Sequence, residues 1–479
     1  MRRVLLLLTI VVVSCASVVG CGSNSPSTAP NPVNSELSYF PASSPLVASI
    51  ATNSSAPEIR NLGAMIGNYP IAAFGLAYAK TRLQQLGINY DTDVHPLFGN
   101  PIMLGLADSN GVSSRTLLIA WVTRDANALA TLVSKFHVTK TRTYDGATLY
   151  ALSSIAVAVD GPTVLLGTSQ QALMGALDRH ARGGGVTQAE MSAALAGLPP
   201  HPFLAAFGSL TGVLSSQRAA AARRVPWVAA LRGYAVTLNA SSAGLSVNFK
   251  LDTTGAPLAA AELPISTVTA PPGLVGGAPI QVGIQDPSQL VYFLEQASQR
   301  GGLTAFLMQQ AAVHRKTGVD LKSLLGLLTG ELAVNSNGHG TIAEIRVKNP
   351  GAAATILAKL STVPNSVLPH STLTRRAGGF YQLNEQRRTI NLGIIGSELL
   401  AGNVPPSQLR QFAAAPLSPA PSGSHGAVAF RIALSQLIHL AVKNAPSQLQ
   451  TLLGSLGDIT GWIAATPQAL TGAATLPLK

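Results

Sequence analysis

The chain has 479 residues, of which 47% are hydrophobic and only 11% charged, with a formal charge of +12. A folded protein with so few charges, where roughly 25% is usual, must cover its surface with Ser, Thr, Asn, Gln and Gly. Two cysteines exclude a disulfide framework, and aromatic residues at 5% without an interleaved basic stripe argue against nucleic acid as a partner.

In chain order the first element is a leader. Met1-Arg2-Arg3 precedes an apolar run from Val4 to Val13, broken by Thr9, and then small residues at Ser14, Ala16 and Ser17. A positive head, a short apolar stretch and small residues are the three parts of a secretory signal. The stretch is shorter than the roughly 20 apolar residues of a spanning helix, so a removable signal peptide over residues 1–20 is expected. Val18-Val19-Gly20-Cys21 resembles a bacterial lipobox, which sets cleavage between Gly20 and Cys21 and acylation on the Cys21 thiol. Val12-Val13-Ser14-Cys15 is a second candidate, but it truncates the apolar run and leaves Cys21 unexplained. Cleavage before Cys21 leaves one thiol, at the new N-terminus, and acylation consumes it. Two or more acyl chains anchor firmly where one anchors marginally. The expected location is extracytoplasmic, lipid-anchored to the cell membrane. Residues 21–38 begin with a Ser-, Asn- and Pro-rich run without apolar periodicity and read as a flexible tether.

The folded part repeats itself with a period of roughly two hundred residues or a little more. Leu129, Leu132, Val133 and Phe136 fall at i, i+3, i+4 and i+7, and so do Ala353, Ile356, Leu357 and Leu360. Both sets predict a helix with one apolar face, opened by Asp125 and by Asn349 followed by Pro350. A strand precedes each helix, over 117–124 and 341–348. In the second, Ala343, Ile345 and Val347 alternate with Glu344, Arg346 and Lys348, one face buried and one wet. The matching wet face of the first carries Leu118, Ala120 and Val122, which predicts that something covers it. Paired strands follow at 155–159 and 163–166, and at 390–394 and 399–401. Then come a helix opened by Ser169 or Asn403 and a strand at 203–207 or 428–430. Each copy closes with a hairpin, and the second hairpin coincides with the end of the chain. The expectation is an α+β protein of two tandem homologous modules, 39–251 and 279–479. Each is a largely antiparallel β-sheet with helices packed on one face. Residues 252–278, rich in Pro, Ala and Gly, read as a linker.

The run Tyr39-Phe40-Pro41-Ala42-Ser43-Ser44-Pro45-Leu46-Val47, then Asp93 before Leu97-Phe98-Gly99, Tyr144-Asp145-Gly146 and the doubled architecture resemble the exported actinobacterial proteins grouped as domain of unknown function 3352. The second copy departs from the pattern, with Gly378-Gly379 where the first has Asp145-Gly146. The resemblance implies an envelope location and carries over no catalytic residues.

Chemistry is not announced by spacing. The nine histidines are scattered, His95 and His201 among them, with no zinc motif. Gly208-Ser209 lacks the spacing of a nucleophile elbow, and Gly183-Gly184-Gly185 reads as a loop. Asp91 and Asp93 are the nearest approach to paired carboxylates, and helix capping explains Asp93. Arg218, Arg223, Arg224 and Arg232 are placed on a helix over 214–231, as a solvated face or a patch for an anionic surface. No catalytic residue, metal or cofactor is expected, and oligomeric state is left open. The favoured reading is a non-catalytic envelope lipoprotein that binds an apolar or amphipathic ligand, or an envelope protein partner, between modules. Its candidate face is Leu118, Ala120 and Val122. A scaffolding lipoprotein without small ligand is the alternative, and an unrecognised envelope hydrolase comes third.

Overall fold

The computed structural model describes residues 32–67, 77–78, 80–108, 116–135, 139–152, 155–253, 255, 258–301, 304–320, 323, 326–328, 330–337, 340–363, 371–385, 388–441 and 456–477. Cys15, Gly20, Cys21, most of the tether and Phe136 lie outside the described residues. The chain divides into two compact units. One holds the residues up to Ser216 together with Arg232–Lys250, the other Gln217–Leu231 and the residues from Leu251 onward.

The first unit contains strands β1 (Val47–Ile50), β2 (Ile102–Leu106), β3 (Leu117–Val122), β4 (Thr139–Tyr144) and β5 (Ala147–Leu152). It continues with β6 (Ile155–Asp160), β7 (Thr163–Gly167), β8 (Leu204–Ser209), β9 (Gly233–Ser241) and β10 (Gly244–Asp252), whose last two residues fall in the second unit. They form a largely antiparallel sheet in the order β4-β5-β6-β7-β3-β2-β1-β8-β9-β10. Its helices are α1 (Pro32–Leu37), α2 (Pro57–Gly67), α3 (Ala126–Lys135), α4 (Gln170–Arg182), α5 (Gln188–Leu195) and α6 (Thr211–Ser215). Their starts follow from the sequence. Asp125 Oδ1 accepts from the N–H groups of Asn127 and Ala128, at 2.9 and 3.0 Å, and Ser169 accepts from Ala172 at 3.2 Å. Thr187 and Glu190 form a capping box.

Successive residues of β3 point to opposite faces. Leu118 and Ala120 lie in a core with Leu37, Tyr39 and Phe40 and with Leu173, Ala176 and Leu177 of α4. Ile119 and Trp121 point the other way, where Trp121 meets Phe98 and Leu129 of α3. Helices therefore cover both faces of the sheet, where the repeat pattern had suggested one. A strand buried on both sides reads as a continuous apolar run, which is what Leu117–Val122 is.

The second unit contains α7 (Pro226–Ala230), β11 (Leu274–Val275), β12 (Ile280–Gln285), α8 (Pro287–Gly301), α9 (Thr304–Thr317), β13 (Glu331–Ser336) and β14 (Thr341–Arg346). After these come α10 (Pro350–Leu360), β15 (Ser371–Arg375), β16 (Tyr381–Glu385), β17 (Arg388–Ile395), β18 (Glu398–Gly402) and α11 (Pro406–Ala413). The unit ends with β19 (Leu417–Ser418), β20 (Val428–Ile432), α12 (Leu434–Ala441), β21 (Ile459–Ala465) and β22 (Ala469–Pro477). The strand order is β15-β16-β17-β18-β14-β13-β12-β20-β21-β22, with β11 and β19 as a separate pair. Helix α10 packs Ala353 and Ile356 against Ile345 and Val347, while Leu409 and Phe412 of α11 pack with Ala333 and Leu400 on the opposite face.

Three local expectations are corrected. Residues 252–278 are not an unpacked linker. Thr253 is fully buried and its N–H donates to Gln468 O at 2.8 Å, Leu263 and Ile265 pack with Ala427, Val428 and Ala465, and β11 pairs with β19. Pro- and Gly-rich composition disguises a packed strap whose apolar residues lack a regular period. The expected helix over 214–231 is broken into α6, two short 3-10 turns and α7. Pro226 excludes the helical conformation from Val225, whose φ/ψ of −82/119 is extended. Asn403 does not cap α11: its Oδ1 accepts from Thr341 N–H, and Pro405 holds the cap position.

Candidate functional site

The face chosen from sequence is filled by the protein itself. Leu118 and Ala120 are 0% exposed beneath α1 and α4. Val122 is half-buried, and its N–H donates to Glu36 Oε1 of α1 at 2.7 Å. An apolar ligand has no room against Leu118 and Ala120.

That contact involves a displaced acid. Glu36 is fully buried, and its Oε2 has no hydrogen-bond partner. Burial pushes its carboxyl up to about 8, against a smaller lowering by the Val122 N–H. A sealed carboxyl of this kind holds structure and reaches no substrate. The other paired acids are also tied down. Asp91 pairs with Lys80 at 2.9 Å on the surface. Asp93 is buried, accepts from Lys135 Nζ at 2.6 Å and from the Asn89 N–H at 2.8 Å, and is held below the usual carboxylate range chiefly by Lys135. Asn89, not Asp93, caps the turn that follows, accepting from Asp91 and Thr92. His95 tilts against the Tyr90 ring, and His201 sits exposed at φ 53.

Arg218, Arg223 and Arg224 are exposed on the 3-10 turns of the second unit's segment 217–231, whereas Arg232 belongs to the first unit. The four do not share a helix. Trp227, in the same segment, is set edge-on to Phe293, with centroids 6.2 Å apart.

A second displaced acid occupies the place corresponding to Ala120. Ala120 lies opposite Leu165 in β7, and Glu344 lies opposite Leu400 in β18. Partial burial and then the charge of Glu398 push Glu344 up to about 7, and a hydrogen bond with Glu398 adds to this. Among the described residues no cluster of three or more His, Cys, Asp or Glu is arranged to hold a metal, and no helix is long and apolar enough to cross a membrane.

An open site among the described residues lies elsewhere, in the second unit, and no motif pointed to it. Cross-strand partners place Asn335, Gln281, Arg431 and Thr460 side by side on β13, β12, β20 and β21. Residues directly opposite on neighbouring strands share a face. In the first unit the strands at these places put Gly105, Val47, Phe207 and Ala235 in the row. There Val47, Phe207 and Ala235 are core, with Phe40 lying close over Gly105. In the second unit Gln281, Arg431 and Thr460 instead line a cavity of about 430 Å³, joined by Leu274, Ser418 and Asp458. Arg431 Nε donates to Asp458 Oδ2 at 2.8 Å and its Nη2 lies 2.5 Å from the same oxygen. Gln281 is buried and donates from Nε2 to Ala278 O at 2.9 Å. The missed signal was a comparison of the two units: polar residues stand in the second at the sheet positions where the first has the core residues Val47, Phe207 and Ala235.

Fold and site together define a class: an α+β protein, largely antiparallel in the strands of each unit, with a cleft lined by both polar and apolar groups in the second unit. Residues 3–366 match the family described as "Protein of unknown function (DUF3352)", and the chain belongs to that family. No curated protein matches it. Among solved structures the chain is similar to crystal forms III and I of TP0453, at 11% and 12% identity. The likeness covers 49% and 48% of this chain and 84% and 82% of that one, with a TM-score of 0.27 in each.

Proposed function

We propose that this is a lipid-tethered, non-catalytic protein of the actinobacterial envelope, built by duplication of one module, which works by binding a small ligand or a partner. The observation that carries the binding reading is the second unit's cleft, with a polar row where the first unit has packed core. The shared strand order and the correspondence of Ala120 with Glu344 support the duplication. The tether reading rests on the leader and on Cys21. From Cys21 to Pro32 an extended chain reaches roughly 35–40 Å, and beyond Pro32 it enters the core through Leu37, Tyr39 and Phe40, each 1% exposed or less. The displaced acids support a non-catalytic protein, because Glu36 is sealed and Asp93 is clamped by Lys135.

Scaffolding without a ligand is the second reading, favoured by the filling of the Leu118 and Ala120 face. Native mass spectrometry of the full chain extracted from its own membranes separates the two. A retained small molecule or partner supports binding, and a chain that is always empty supports scaffolding. For the tether, Cys21→Ser is expected to abolish incorporation of labelled palmitate and release the protein from membranes. Labelling that persists in this variant overturns the assignment.

A further inference from the structure

The binding reading leaves the ligand's chemistry open, and the cleft constrains it. Arg431 and Asp458 neutralise one another, so the lining carries no net charge from this pair and does not select an ion by charge. Both contacts made by Arg431 converge on Asp458 Oδ2, leaving Oδ1 as an acceptor and the remaining guanidinium N–H groups as donors. Gln281 uses its Nε2 on Ala278 O, which leaves its Oε1 to accept. The hydroxyls of Thr460 and Ser418 each donate and accept. Donors and acceptors therefore alternate across three neighbouring strands, a pattern that hydroxyl groups on adjacent carbons match because each hydroxyl is both. Leu274, Pro419, Pro421 and Pro477 supply hydrocarbon without an aromatic ring, suited to the C–H face of a sugar ring and offering an acyl chain a single branched aliphatic side chain. The volume of about 430 Å³ lies within the usual range of small-molecule sites.

The first unit sharpens the point. Folding requires nothing polar in this row, since Val47, Phe207 and Ala235 pack there in the same sheet order. Four polar residues in register across four strands carry a desolvation cost that an apolar row avoids.

We propose that the cleft of the second unit binds a neutral polyhydroxylated ligand, a saccharide. The proposal rests on the binding reading above and adds the ligand's class. Ligand-observed saturation-transfer NMR on the full chain tests it, with maltose and N,N′-diacetylchitobiose as saccharide probes and octanoate as an apolar probe. The expected result is transfer to ring protons of at least one saccharide at millimolar concentration, weakened about tenfold or more by Gln281→Leu and by Thr460→Val. Both variants imitate the apolar row of the first unit, and circular dichroism is expected to show their fold retained. Should either fail to fold, Ser418→Ala, on the short β11–β19 pair, takes its place with the same expectation. Transfer to octanoate alone overturns the saccharide assignment while leaving a binding protein. No transfer from any probe, or saccharide transfer untouched by the variants, overturns the proposal; silence from all three probes removes the cleft's support for the binding reading too.

Discussion

At Glu36 a carboxyl group sits without solvent exposure, with one oxygen on the Val122 N–H and the other on nothing. Its folded pKa of about 8 lies above the ordinary 4.5. The folded state therefore keeps a proton that the unfolded chain has lost, and stability falls as pH rises from about 4.5 to about 8, levelling off on either side. At about 1.4 kcal/mol per pH unit, the loss is on the order of 5 kcal/mol for a group this buried. Glu36→Gln keeps the acceptor and removes the titration. Urea denaturation at pH 5 and pH 8.5 is expected to show a stability loss in the wild type that the variant largely lacks. Equal losses in both proteins contradict the assignment. Glu344, raised for partly different reasons, adds a smaller slope of the same sign in both proteins, damped because it is only half-buried. None of this was legible in the sequence, where Glu36 stood in the tether as an ordinary acid. Nothing local marks a carboxyl that the far end of β3 will cover.

Among the elements, α1 matters most for its size. Six residues long, it places Leu37 in the core and is followed by Tyr39 and Phe40, both buried. The segment is fixed by Pro41 bridging to Gly185, by the Val186 N–H donating to Phe40 O at 2.9 Å, and by Arg179 donating to Tyr39 O at 3.1 Å. A Cβ at Gly185 would overlap the Ser38 backbone. Gly185→Ala is accordingly expected to cost about 1–3 kcal/mol, measured by chemical denaturation, whereas Gly184→Ala, with open space at its Cβ, is expected to change stability far less. The apolar character of Tyr39 and Phe40 was visible in the sequence, but the start of the first module at residue 39 cut α1 away from them. The helices α3, over its described residues, and α10 were readable, because period and cap agree at Asp125 and Asn349. The helix over 214–231 was not, because alanine-rich sequence satisfies the propensity on both sides of a proline that interrupts it. At comparable turns of the two units, Asp145-Gly146 and Gly378-Gly379 all adopt positive φ, between 46 and 81°. Both dipeptides supply the left-handed conformation that the turn needs.

The molecule as a whole consists of two units with one strand order and different interiors. Two compact units, each with cores of its own, are expected to unfold in separable steps rather than as one two-state transition. Phe207→Ala, in the first unit's core, is expected to lose about 3–5 kcal/mol from one calorimetric transition. Leu400→Ala, fully buried in the second, is expected to lower the other by a similar amount. A single transition shifted equally by both variants contradicts independent units.

Periodicity, caps and turn residues are properties of neighbouring positions. From them the sequence alone determined the α+β class, the sites of most strands and the resemblance to the family whose match covers residues 3–366. Which faces are covered, which acids lose their solvent and where a cleft remains depend on residues brought together across strands. Val122 meets Glu36 across 86 positions, and Gln281 meets Arg431 only through the pairing of β12 with β20. The tertiary structure alone decided these matters, because burial and cross-strand register are set by contacts between distant parts of the chain, to which local pattern is blind.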